Sequence, residues 1–215
     1  MNSQTGRFIA LEGGEGAGKS TQARMLADAL VARGLEVDVT REPGGTPGAE
    51  AIRTLLLDPP GEGWKAEAEA LLFAAARSDH VAQHIKPALE QGIWVISDRF
   101  LDSSRAYQGF AGDLGDEAVL TLHDVGSGGF KPDMTLLIEV HEDEVADRLE
   151  SRDGGVSDAI GGRDLSYHRA VARGFREFAA AEPQRFALID GSGTADEVHG
   201  RIMEALAPLL AEQPS

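Results

Sequence analysis

The chain contains no cysteine, which excludes disulfides, thiolate metal sites and thiol nucleophiles. Basic residues are scarce against acidic ones, 20 Lys and Arg to 36 Asp and Glu, for a formal net charge of −16. Such a surface repels a nucleic-acid backbone and an anionic membrane, so neither is expected as a partner. A nucleotide stays open, because a small anion answers to local arginines rather than to net charge. No apolar run approaches the roughly 20 residues of a membrane span, and the polar opening Met-Asn-Ser-Gln-Thr-Gly-Arg lacks the pattern of a signal peptide. The expectation is a soluble, cytoplasmic protein. No internal repeat or long low-complexity linker divides the 215 residues, so one α/β domain over 1–215 is expected.

What the chain does have is Gly13-Gly14-Glu15-Gly16-Ala17-Gly18-Lys19-Ser20, a gapless match to the phosphate-binding pattern G-x-x-x-x-G-K-[ST]. The apolar run 8–11 precedes it as a strand, and Met25, Leu26, Ala29 and Leu30 follow at helical spacing. The motif therefore sits between a buried strand and a helix N-terminus. There, successive backbone N–H groups and the helix dipole hold a polyphosphate, and Lys19 reaches its outer phosphates. A chance glycine-rich turn would not carry both flanks.

Strand candidates lie at 8–11, 35–40, 93–97, 134–140 and 186–189. Helical stretches lie at about 19–33, 49–57, 66–90, 102–125, 142–151, 164–182 and 194–211. This alternation predicts a parallel sheet covered on both faces, with ligands at the carboxyl ends of its strands. The segment 151–162 is glycine-rich and nearly without apolar anchors, so it is expected to be mobile.

Several other stretches carry chemistry. Arg41-Glu42-Pro43-Gly44-Gly45-Thr46 reads by itself as a Pro-Gly turn, but its place after the second strand, with Arg53 soon after, suits an anion site. Asp98-Arg99 ends the third strand. There an acid can hold Mg²⁺ and an arginine can bridge phosphates, the bland alternative being a surface ion pair. Phe73 and Arg77 share a helix face at i, i+4, a ring to stack on a base and a fork to donate to its carbonyl, although an isolated Phe in an Ala-rich helix is more often core. Ser104, Tyr107 and Gln108 follow close behind and offer base-edge or ribose contacts, or else helix caps. His80 and His84 read as a solvated helix face, Trp64 and Trp94 as packing residues, and 141–144 as the acidic first turn of a helix.

Together, Glu12–Thr21, Thr40–Thr46, Leu71–Arg77, Ser97–Gly109 and Asp164–Gly174 resemble the bacterial thymidylate kinases in order and spacing, from about residue 8 to the C-terminus. The resemblance implies a P-loop kinase fold, three-layered α/β with a five-stranded parallel sheet and a short mobile lid at about 151–163. It implies transfer of the ATP γ-phosphoryl group to dTMP with Mg²⁺, in a homodimer. Carried over by position, Gly13, Gly16, Ala17, Gly18, Lys19, Ser20 and Thr21 would hold ATP, and Ser20 and Asp98 the metal. Glu15 would accept from the 3′-hydroxyl, Arg53 and Arg99 would clamp the dTMP phosphate, and Arg99 would reach the transferring group. Phe73 would stack on thymine, Arg77 would donate to its O4, Ser104 and Gln108 would meet its other edge, and Tyr107 would close the sugar side.

One place departs from the family. Its lid reads Asp-Arg-x-Glu/Asp, and here Asp158-Ala159-Ile160-Gly161 puts Ala159 where an arginine is expected. Arg152 and Arg163 flank the gap and are the candidates to replace it; Arg148 belongs with the preceding helix. A kinase for another nucleoside monophosphate, a slow member of the family and a nucleotide-dependent switch are the competing readings. The switch lacks an N/T-K-x-D base-reading motif at 189–193.

Overall fold

A computed structural model describes residues 6–140 and 160–211. Five strands, β1 (Phe8–Glu12), β2 (Val37–Arg41), β3 (Trp94–Asp98), β4 (Met134–Glu139) and β5 (Phe186–Asp190), form one parallel sheet in the order β2-β3-β1-β4-β5. The strands read as near-continuous apolar runs because both faces of the sheet are covered. Residue parity divides the core. Ile9 and Leu11 of β1, with Trp94, Ile96, Leu136 and Ile138, pack against α1 (Lys19–Val31) and α8 (Ala195–Ala211). Those helices present Ala23, Leu26 and Leu30, and Val198, Ile202, Leu206 and Leu209, at helical spacing. Phe8 and Ala10 point the other way and pack with Val95, Val81, Ile85, Phe100 and Leu101.

That second side holds α3 (Ala66–His80), α4 (Lys86–Glu90), α5 (Leu101–Ser104), α6 (Asp116–Ser127) and α7 (Leu165–Ala181), with α2 (Pro47–Leu57) packed on α3. The expected 66–90 helix is continuous, with a π-helical turn over Val81–Ile85 where Lys86 N–H donates to the Val81 carbonyl. Pro87, next in line, has no N–H to give and a ring that crowds the preceding turn, and the wider turn accommodates both. The expected 102–125 helix is not one helix. It runs as α5 into a π-helical stretch, Arg105–Ala111, and breaks before α6, where Gly115 takes φ +89°. The 142–151 helix and the acidic turn at 141–144 lie outside the described residues.

Local rules set the boundaries elsewhere. Thr46 caps α2 by accepting from Ala49 N–H, and Asp164 caps α7 by accepting from Tyr167 N–H. Thr194 and Glu197 exchange side-chain-to-backbone bonds at the start of α8, a capping box. The helix carrying Ser104, Tyr107 and Gln108 is itself pinned. Arg105 donates to Asp102, Asp116 and Glu182, and Arg185, just before β5, donates to the fully buried Asp102. A buried carboxylate that meets two guanidinium groups keeps its charge satisfied, so this helix has one seat against β4 and α7.

Candidate active site

The carboxyl ends of β1, β2 and β3 open on a cavity of about 520 Å³, within the usual range for a small-molecule site. Glycine makes the β1–α1 loop possible: Gly13, Gly16 and Gly18 have φ of +142°, +69° and +86°. A Cβ on Gly13 would stand 2.4 Å from the Ile138 carbonyl oxygen of β4. Lys19 curls back over the loop, its Nζ donating to the carbonyls of Gly13 at 3.1 Å and Gly14 at 2.7 Å. Burial, and next the charge of Arg99, lower its pKa to about 8 against the pull of Asp98, Glu15 and Glu12. Ser20 Oγ donates to the Asp98 carboxylate across the mouth of the loop. A hydroxyl and a carboxylate facing a phosphate loop are hard oxygen donors that suit Mg²⁺. That ion takes one or two protein ligands and draws the rest from phosphates and water. No group of three or more His, Cys, Asp or Glu suited to holding a metal alone occurs among the described residues.

Arg99 sits at φ +71°, a left-handed conformation unusual for a side chain of this size. Ser97 Oγ donates to its carbonyl, and its own N–H donates to the Leu11 carbonyl. The bend brings the guanidinium back over the phosphate loop, where it donates to Glu15 at 2.6 Å, to the Gly13 carbonyl and to Ser103. It also lies over the Tyr107 ring, 5.1 Å from the centroid, and the Tyr107 hydroxyl lies 3.4 Å from Glu15. Burial opposes its charge, but Tyr107, Glu15, Asp98 and Glu12 outweigh that and raise its pKa. Glu15, Arg99 and Tyr107 thus form one polar cluster between the loop and the rest of the cavity.

The other half of the cavity is walled by α3 and the Arg105–Ala111 helix. Arg77 is 3% exposed and commits two of its three nitrogens to the protein: Nε donates to Glu42 at 2.7 Å, and Nη2 to the Phe100 carbonyl and to Ser104 Oγ. Glu42 also meets His80 Nδ1 at 3.0 Å, and His80 Nε2 meets Thr40 Oγ1 at 2.7 Å. His80 is therefore fully buried and polar-paired, not on a solvated face; the β2 end reaches it. His84, which stacks on it at 5.5 Å between ring centroids, is half-buried beside Asp38. Gly45 is required here, since a Cβ would come within 2.4 Å of the His80 ring. Gln108 donates to Glu69 at 2.9 Å, while its own Oε1 is buried without a partner.

Nearly all the sequence-expected residues meet in this one place. Glu15, Gly16, Ala17, Gly18, Lys19, Ser20, Thr21, Arg53, Phe73, Arg77, Asp98, Arg99, Ser104, Tyr107 and Gln108 line the cavity, and Gly13 supports it from beneath. Arg53 donates to the Pro43 carbonyl at 2.7 Å. Arg152 lies outside the described residues. Arg163 does not line the cavity: it donates to Glu69 and to the Tyr167 hydroxyl. Of the tryptophans, Trp94 is fully buried packing, whereas Trp64 is half-buried and donates to the Leu55 carbonyl.

Sequence reasoning missed the buried carboxylates that hold these side chains. Glu12, the last residue of β1, accepts from Phe100 N–H, Ser103 N–H and Ser103 Oγ. It thereby ties the phosphate-loop strand to the Arg99 turn. Burial, reinforced by Asp102, raises its pKa from 4.5 to about 7. The native state then keeps a proton that the unfolded chain has already lost between those two values, so this group's contribution to stability falls as pH rises through that window. The Glu12→Gln variant is expected to lose that slope. Urea unfolding at about pH 5 and about pH 8 tests it, and equal pH dependence in both proteins would contradict the assignment.

Comparison with known proteins extends the geometry. The family model described as thymidylate kinase matches residues 11–202. A thymidylate kinase of Rhizorhabdus wittichii is 58% identical over 205 residues, 95% of this chain and 99% of that protein. One of Nitrobacter winogradskyi is 48% identical, over 95% of this chain and 90% of its own. The crystal structure of thymidylate kinase from Ehrlichia chaffeensis superimposes with a TM-score of 0.74 at 31% identity, covering 94% of this chain and 99% of that one.

Proposed function

The chain belongs to the thymidylate kinase family and transfers the ATP γ-phosphoryl group to dTMP, and we propose that the cavity residues divide that work as follows. Gly13, Gly16, Ala17, Gly18, Lys19, Ser20 and Thr21 hold the ATP phosphates. Arg53 and Arg99 hold the dTMP phosphate, Glu15 and Tyr107 the deoxyribose, and Phe73, Arg77, Ser104 and Gln108 the base. The observation that carries this reading is the half of the cavity away from the phosphate loop: Arg77 and Gln108 both line it, Arg77 commits Nε and Nη2 to the protein and keeps Nη1, and Gln108 Oε1 has no protein partner. A donor facing O4 and an acceptor facing N3–H match thymine and leave cytosine mispaired on both atoms.

The reaction needs no covalent intermediate. An anionic oxygen of the dTMP phosphate bonds to the γ-phosphorus as the bridging bond to the β-phosphate breaks, and ADP leaves with the electron pair. Catalysis is then alignment and neutralisation of charge. Lys19 moves from the Gly13 and Gly14 carbonyls to the phosphates, and Arg99 faces the group in transit. Ser20 and Asp98 would hold Mg²⁺, which would supply further charge neutralisation there. Of the two arginines flanking Ala159, Arg163 is engaged by Glu69 and Tyr167 outside the cavity lining, so a lid-side positive charge would come from Arg152. We also propose a cytoplasmic homodimer paired through the adjacent helices α2, α3 and α6, whose Leu55, Leu71 and Val125 stand exposed, Val125 by 84%. Among the described residues no helix is long and apolar enough to cross a membrane.

The metal assignment has its own test. Asp98→Asn is expected to raise the Mg²⁺ concentration giving half-maximal rate by about 10-fold or more, with dTMP binding in the absence of metal little changed. An unchanged Mg²⁺ requirement in a folded variant would remove Asp98 from the metal site.

A further inference from the structure

Glu69 stands at the N-terminal part of α3 and is only 7% exposed. Its Oε1 accepts from Gln108 Nε2 at 2.9 Å, and its Oε2 accepts from Arg163 Nη2 at 2.5 Å. Arg163 in turn donates to the Tyr167 hydroxyl, which donates to the Tyr107 carbonyl in the same helix as Gln108. A primary amide is nearly symmetric in shape, and only its partners decide which end is the donor. A carboxylate paired with a guanidinium accepts and does not donate, so Glu69 admits the Gln108 NH₂ and repels its carbonyl. The carbonyl is thereby turned to the side where it has no protein partner. Arg163 makes that arrangement tolerable, because a carboxylate buried against an amide alone would carry an uncompensated charge.

We propose that Glu69 is a positioning residue for base selection: it locks the Gln108 amide so that Oε1 is presented to a pyrimidine N3–H, and Arg163, donating to the other carboxylate oxygen, holds Glu69 in that post. The proposal rests on Gln108 meeting the base edge. Cytosine has an acceptor at N3, and a locked carbonyl facing it leaves two acceptors opposed. If the amide could turn, that penalty would vanish.

The Glu69→Gln variant keeps size and polarity but can present either a donor or an acceptor, so Gln108 is no longer locked. Steady-state kinetics with dTMP and dCMP, in wild type, Glu69→Gln, Gln108→Ala and the double variant, test the idea. Expected for Glu69→Gln is a KM for dTMP higher by about 10- to 30-fold, with kcat within about 3-fold and the KM for ATP unmoved. Its dTMP-to-dCMP ratio of kcat/KM should fall by at least as much. In the Gln108→Ala background the same substitution should add nothing further, since there is no amide left to orient. A structural role alone would lower melting temperature without changing the dTMP-to-dCMP ratio, and that result overturns the proposal. Full additivity of the two substitutions overturns it as well. A Gln108→Ala variant with wild-type dTMP kinetics would sink the base-edge reading and this proposal together. Impaired Gln108→Ala beside unimpaired Glu69→Gln would sink this proposal only.

Discussion

Lys19→Ala is expected to lower kcat by about 10²- to 10³-fold, the cost of removing one preorganised charge from a transition state that needs neutralisation more than anything else. Lys19 is 7% exposed and rests on the Gly13 and Gly14 carbonyls, so the loop holds its ammonium in place before any nucleotide arrives. The Gly13 carbonyl keeps Arg99 Nη1 as a donor when the ammonium is removed, so the variant should fold normally. Its pKa of about 8 in the empty site adds a pH signature. The free enzyme loses the Lys19 proton as pH rises through that value, so kcat/KM for ATP should fall on the alkaline side, while kcat falls later because bound phosphates favour the ammonium. Linkage runs the other way for stability. Between about 8 and 10.5 the unfolded chain binds the proton more tightly, so this group's contribution to stability rises with pH there. Lys19→Ala protein with kcat within a few-fold of wild type would contradict the assignment.

Arg77→Met should injure both fold and recognition. It leaves Glu42 as a buried carboxylate whose strongest partner has gone, with side chains that were 3% exposed on both sides of the pair. Breaking such a pair from one side costs about 3–5 kcal/mol, or about 6–20 °C in Tm for a chain of this size. The KM for dTMP should rise by about 10- to 100-fold, because a charged donor to the base carbonyl has been removed. A second substitution separates the two effects. Glu42→Gln placed on Arg77→Met removes the stranded charge while leaving His80 an acceptor, so most of the stability should return and none of the dTMP affinity. Thermal melting and dTMP kinetics on both variants decide it. Recovery of dTMP affinity in the pair would mean that Arg77 acts through the scaffold rather than on the base.

How much of this was legible in the sequence follows from the range over which each interaction acts. The phosphate loop, its strand and its helix could be read because one continuous stretch contains the whole device, and the glycine torsions at 13, 16 and 18 follow from its spacing. The five strands were legible as apolar runs, within a residue or two at their ends. The break ahead of α6 was not, since Gly112 and Gly115 fall inside an apolar pattern that keeps helical spacing on both sides. His80 looked solvated because its neighbours along the helix are polar; its partners Thr40 and Glu42 arrive from a different strand. The same holds for the carboxylates. Glu12 finds Ser103 across 91 positions, Glu42 finds Arg77 across 35, and Glu69 finds Arg163 across 94. A lone Glu in a sequence reads as surface, and only a partner from a distant segment makes its burial tolerable. The side chains proposed to read the base were legible as neighbours in the cavity because they are short-range pairs, Phe73 with Arg77 and Ser104 with Gln108. What orients them was hidden because it is not local.

The measurement that tests the account most directly is a coupled ADP-release assay with Mg·ATP and, in parallel, dTMP, dUMP, dCMP and dGMP as acceptors. Turnover should be best with dTMP and fall by at least about 10²-fold with dCMP, whose ring opposes both the Arg77 donor and the Gln108 acceptor. dGMP should not be phosphorylated at a measurable rate. Comparable kcat/KM for dTMP and dCMP would contradict the central claim, because a site built from Arg77 and a locked Gln108 has no means of treating those two bases alike.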